Sequence, residues 1–146
     1  MYCFFRSIRI LALAMIFAVL ATFAAADEAS ETSDGLHIEE AVVTRAQVGE
    51  SARLRFKISN YGTRKVRLNS VRSDVAQDAR LIMTLPGGLS KAVSGLPILQ
   101  EETLNLATSH VQVELKELKQ ALLAGSTFEF EAVFQDFTLR AFAHVH

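Results

Sequence analysis

The sequence has no tryptophan and a single cysteine, Cys3, at the very start of the chain. Disulfide frameworks need paired cysteines and thiolate metal sites need clustered ones, so both are excluded from the body of the protein. The Cys–Trp–Cys core of immunoglobulin domains goes with them. Proline is limited to Pro86 and Pro97, and the seven glycines are scattered, so there is no Gly-rich phosphate loop. No internal repeat or low-complexity stretch is present outside the N-terminal segment. Positive charge is not in excess either: 15 Lys and Arg face 16 Asp and Glu. A domain without a basic stripe is a poor nucleic-acid binder. No nucleophile stands beside a placed base, and the acids fall on solvated strand faces, so no enzymatic activity is expected.

The chain has one long hydrophobic run, and it comes first. Arg6 and Arg9 precede Ile10–Phe23, and Ala24-Ala25-Ala26 supplies small residues ahead of Asp27. This order is that of a secretory signal peptide spanning residues 1–26. A retained membrane anchor is the competing reading, although the run is near the short limit for a span. Cys3 lies ahead of the run rather than at its end, where lipoprotein acylation would occur. Cleavage would remove Arg6, Arg9 and Cys3, leaving 13 basic against 16 acidic residues, a formal charge of −3, and Met83 as the sole methionine. Residues 27–36, with Asp27, Glu28, Glu31 and Asp34, read as a disordered leader, and residues 37–146 as one folded domain.

That domain is dominated by a period of two. Ala52, Leu54, Phe56 and Ile58 alternate with Arg53, Arg55, Lys57 and Ser59; Asn60-Tyr61-Gly62 interrupts, and Val66-Arg67-Leu68 resumes. The pattern predicts a β-hairpin with a cationic outer face, Arg53, Arg55 and Lys57 lying opposite Arg64, Lys65 and Arg67. Leu68 and Val71 are three apart, which predicts a β-bulge near Asn69-Ser70. Further strands are expected at His37–Val43, Ala79–Leu85, Thr103–Ala107, Val111–Leu115, Phe128–Phe134 and Thr138–Val145, with an irregular edge segment at Val93–Leu99. Leu115, Leu118 and Leu122 are spaced as on a helix, and Gly125 stands where a helix would end, so a short helical turn is expected there. The fold class is therefore all-β, a Greek-key sandwich with one short helical turn.

Three segments, in order, resemble periplasmic copper chaperones of the PCu(A)C type. Asn60-Tyr61-Gly62 followed by Val66-Arg67-Leu68 and Val71-Arg72-Ser73-Asp74-Val75-Ala76 is similar to that family's NxG…RLxxVxSxxA stretch. Ile38–Arg45 resembles its opening strand, and Leu118–Phe128 resembles its GLKxPLKxGDTF segment, with Ala121 in the place of proline. The resemblance implies a cupredoxin-like sandwich in the periplasm that passes Cu(I) to a copper-acceptor or oxidase-assembly protein, with no membrane contact once the signal is gone.

The family's metal site is a His and a Met about ten residues apart, then a His-x-Met; thioether sulfur with imidazole suits Cu(I). Carried over residue by residue, the second His falls on His110, its partner Met on Gln112, the first His on Leu81 or Ile82, and the first Met near Lys91-Ala92. Met83 lies one or two positions from the lost His. His110, Met83 and Gln112 are thus the candidate copper ligands of a reduced set, with Glu114 on the same predicted face as His110 and Gln112. His144-x-His146 is a second candidate, suited to Cu(II) or Zn(II). The resemblance implies a copper-binding, chaperone-like protein; the alternative is an interaction module that kept the fold and lost the metal.

Overall fold

The computed structural model describes residues 35–146. The signal-peptide segment 1–26 and almost all of the leader lie outside the described residues. The alternating segments all become strands: β1 (Leu36–Val43), β2 (Ala52–Asn60), β3 (Val66–Arg72), β4 (Ala76–Thr84), β5 (Ser90–Ala92), β6 (Leu96–Ile98), β7 (Thr103–Asn105), β8 (Val111–Leu118), β9 (Thr127–Phe134) and β10 (Thr138–Val145). They hydrogen-bond in the order β5-β4-β8-β2-β1-β10-β9-β3-β6, with β7 on the far part of β2. The sheet curls on itself into two facing layers, joined where β1 runs parallel to β10 at Val42–His144 and Val43–Val145. Phe56 of β2 meets Phe130 of β9 across the interior, ring centroids 5.1 Å apart, and both side chains are fully buried. Each aromatic of this kind contributes about 2–3 kcal/mol through the water-exposed area it removes. This is the cupredoxin-like β-sandwich that the resemblance implied.

The bulge expected in β3 is present. Leu68 pairs with Phe134 but Ser70 with Val133, so one extra residue is accommodated at Asn69. Two other expectations are corrected. Strands β2 and β3 do not form a hairpin, because both edges of β2 are already taken: Ile58 pairs with Ile38 of β1 on one side and Leu104 of β7 on the other, and Leu54 with Val113 of β8. Strand β3 pairs instead with β9 and β6. The Asn/Gly signal builds a crossover between layers. Asn60, almost fully buried, accepts a hydrogen bond from Gly62 N at 3.0 Å and donates to Arg64 O at 2.8 Å and Leu99 O at 3.0 Å. Asn side chains stabilise such turns because they mimic a backbone bond two residues on. The two cationic groups of the expected hairpin are therefore on different layers, and Lys57 is paired with Glu40 at 2.6 Å.

The expected helical turn is likewise replaced by strand. β8 runs through to Leu118, and Leu122 forms an isolated bridge with Ala46. Glu117 has φ 51°, and this left-handed residue turns the strand over, so Leu115 and Leu118 are both buried although three apart. Glu40 does the same in β1, where the register shifts between Glu39 and Val42. A three-residue hydrophobic spacing arises in a helix or in a strand that turns over, and here the ladder with β4, in unbroken register from Val111 to Leu118, selects the second. Gly125 closes a turn instead of a helix, its N–H donating to Val145 O at 2.8 Å.

Candidate metal centre

The His110 region is built by three neighbouring strands. Ile82 of β4 lies directly opposite Gln112 of β8 on one side and Ala92 of β5 on the other. Directly opposed residues share a face of a sheet, so Ala92, Ile82 and Gln112 form one row. His110, just ahead of β8, is two residues from Gln112, and its carbonyl accepts from Thr84 N at 2.9 Å, which extends the same ladder. His110 is exposed and Gln112 half-buried, whereas Val111 and Val113 between and beyond them are buried. The row therefore faces outward. Of the two positions onto which the resemblance carries the first histidine, Leu81 is buried on the inner face opposite Val113, and Ile82 is the one that faces the patch.

Met83 does not join it. Its register partner is Val111, and it packs against the core on the inner face. The expected grouping of His110, Met83 and Gln112 is thus divided by the sheet. Alternation explains this: neighbours in a strand point to opposite sides. Four outward positions on three strands remain, His110, Gln112, Ile82 and Ala92, and they carry one imidazole, one amide, one branched alkyl group and one methyl. Gln112 Oε1 is a buried side-chain oxygen with no hydrogen-bond partner among the described residues. An amide oxygen is a hard donor and imidazole a borderline one, so the set does not fit a closed, soft Cu(I) site.

Glu114 continues the outer face, opposite Arg53 of β2 and Arg80 of β4. Two flanking cations make it part of a charged sheet surface rather than a ligand beside His110. Arg80 in turn bonds Asp78, and this hydrogen bond holds the Asp78 carboxyl below its usual range. His37 is half-buried and makes an edge contact with Tyr61, ring centroids 5.4 Å apart.

His144 and His146 flank the buried Val145, and both are exposed on one side of the β10 end. The tail is held in place: His146 N donates to Val43 O at 3.0 Å and its carbonyl accepts from Arg45 N at 3.1 Å. β10 is three strand steps from β8, about 14 Å at the usual strand spacing, so the two histidine loci are separate. Among the described residues no group of three or more His, Cys, Asp and Glu side chains is placed to hold a metal ion.

Comparison with known proteins adds two findings. A family model described as "Putative lipoprotein LpqE-like" matches residues 36–140, nearly the whole described domain. The chain belongs to the LpqE-like family. Among solved structures, this LpqE-like chain is similar to the copper-bound PCuAC domain from PmoF2, with 18% identity, TM-score 0.69, and coverage of 81% of this chain and 97% of that one. It is comparably similar to the apo PCuAC domain from PmoF1, with 18% identity, TM-score 0.68, and coverage of 81% and 98%. Apo-DR1885 from Deinococcus radiodurans follows with 22% identity, TM-score 0.57, and coverage of 99% and 95%. No curated protein matches the sequence significantly. These likenesses establish the fold as that of the PCuAC domain.

Proposed function

We propose that this protein is an exported, copper-binding, chaperone-like protein with a reduced ligand set, buffering copper or delivering it for oxidase assembly. The observation that carries the reading is the outward row Ala92–Ile82–Gln112 with His110 beside it. It sits where the resemblance puts the ligands of PCu(A)C chaperones, on a fold shared with a domain solved with copper bound. One exposed imidazole beside the unpartnered, buried oxygen of one amide binds a metal ion weakly and leaves coordination positions for a partner's ligands. That suits a protein whose metal is cargo to be handed on. The segment ahead of residue 27 would direct export to the periplasm.

A second reading has its own observation. Ile82 and Ala92 cannot ligate, and Met83 faces the core. A metal-free interaction module that kept the frame accounts for these equally directly. Copper titration of residues 27–146 against a competing chelator separates the two. Uptake of Cu(I) or Cu(II) that is lost in His110→Ala supports the first reading. Uptake lost only on replacing His144 and His146 moves the site to the β10 end, and absence of uptake leaves the module.

A further inference from the structure

A separate cavity of the described domain is in the layer opposite His110. It is a cleft of about 590 Å³ between the crossover loop after β2 and the turn joining β9 to β10. Small-molecule sites commonly fall between about 300 and 1,000 Å³. Its cations are Arg64, Lys65 and Arg67, and Asp136 is the only carboxylate among the residues that line it. Its apolar part is formed by Phe137, stacked on Phe134 with ring centroids 4.8 Å apart, and by Tyr61, whose surface is 65% exposed. We propose that this cleft binds a small, soluble amphiphilic anion, one phosphate or carboxylate group carried on a flat apolar body.

The frame beneath these groups is fixed. The buried Asn60 amide holds Gly62 N and Arg64 O. Tyr61 N donates to Gly35 O at 2.8 Å, an approach that requires glycine, since a Cβ at position 35 would stand 2.7 Å from Gly62 N. Arg67 is seated on Gly95, where a Cβ would lie 2.8 Å from its Nε. Phe134 N donates to Phe137 O at 2.8 Å and closes the opposite wall. The backbone that carries the cations and Tyr61 is held on one wall and the stacked Phe134–Phe137 pair on the other, which lowers the ordering cost of binding. The crossover itself needs Asn60 and the glycines; it does not need three cations facing an aromatic pair.

Phenyl phosphate is the probe, titrated into 15N-labelled protein of residues 27–146, with inorganic phosphate and tetraglutamate as comparators. Saturable amide shifts confined to Gly35, Gly62, Arg67 and Phe137 are expected, with inorganic phosphate about tenfold weaker, since it forgoes the ring contact. Arg64→Gln with Lys65→Gln should weaken phenyl phosphate by about tenfold, and Phe137→Leu should erase its advantage over phosphate. Should the double variant unfold, a salt series on the unaltered protein decides: affinity falling as NaCl rises supports the proposal, and salt-independent affinity overturns it. Equal affinity for phenyl phosphate and phosphate overturns it, as do equal shifts at the Arg53 and Arg55 face. Tighter binding of tetraglutamate also overturns it, in favour of an acidic peptide.

Discussion

Asn60 offers the sharpest test of the crossover, because a hairpin and a layer crossing demand different things of it. At a hairpin turn its side chain would face solvent and Asn60→Ala would cost a few tenths of a kcal/mol. In the structure the amide is 1% exposed, accepts from Gly62 N, and donates to Arg64 O and Leu99 O, with Ile98 O at 3.3 Å. Its two N–H donors and one acceptor amount to about three bonds at roughly 1 kcal/mol each, and buried groups left unpaired add to that. Asn60→Ala should therefore lose about 2–4 kcal/mol, a large share of the 5–15 kcal/mol that holds a domain together. Asn60→Asp separates shape from chemistry. Its carboxylate keeps the Gly62 bond but turns an oxygen on three carbonyls, so the charged form is disfavoured in the folded state and the folded pKa lies above the unfolded one. Stability relative to the parent is then retained at low pH and lost as pH rises through that raised value. Urea unfolding of the three proteins at pH 7 and at low pH measures this. An Asn60→Ala midpoint indistinguishable from the parent, or an Asn60→Asp protein that gains stability as pH rises, would refute the crossover argument.

Other outcomes follow from single positions. Gly35→Ala, at φ 80° and with the new Cβ 2.7 Å from Gly62 N, should lower stability by about 2 kcal/mol or more in the same unfolding assay. Arg80→Ala should return the Asp78 carboxyl toward its ordinary range, read by NMR pH titration. Because a depressed carboxyl pKa favours the fold above the unfolded value and loses that contribution as pH falls through the folded one, the variant should also show a flatter acid limb. Placing soft donors on the outer row, with Ile82→His, Ala92→Met and Gln112→Met beside His110, should raise Cu(I) affinity by at least about a hundredfold in chelator competition. The same substitutions with Met placed at position 81 instead of His at 82 should not.

Much of the fold was legible because burial on one face leaves a direct trace in the residues. Ala52–Ile58 and Phe128–Phe134 alternate strictly, and each became a strand with the expected face inward. The β3 bulge was readable from the spacing of Leu68 and Val71 alone. What failed were inferences about which strand meets which. Asn60-Tyr61-Gly62 signals a change of direction, but a turn residue cannot report that both edges of β2 are claimed by the preceding strand β1 and by the distant β7 and β8. The Leu115–Leu122 spacing failed for a related reason. A left-handed glutamate such as Glu117 is rare enough that a helix is the better sequence-level guess.

The candidate site was legible as positions and illegible as geometry. Sequence alone placed His110 and Gln112 on a shared face, since residues two apart in a strand always are. It could not choose between Leu81 and Ile82, or reject Met83, because that choice depends on the register of β4 against β8. The pairing of Ile82 with Gln112 makes the choice, and it has a consequence for how this site could change without loss of the fold. All four positions are outward-facing on strands whose inward neighbours, Leu81, Val111 and Val113, carry the core. Side chains there lie outside the buried core, so exchanges between His and Ile or Met and Ala cost little stability, and surface changes away from special features usually fall within about 0.5 kcal/mol. A copper frame can therefore shed its donors one at a time while Asn60, Gly35 and the Phe56–Phe130 contact hold the sandwich unchanged. The part of the chain that most strongly names the fold is, for that reason, the part least informative about whether it still carries metal.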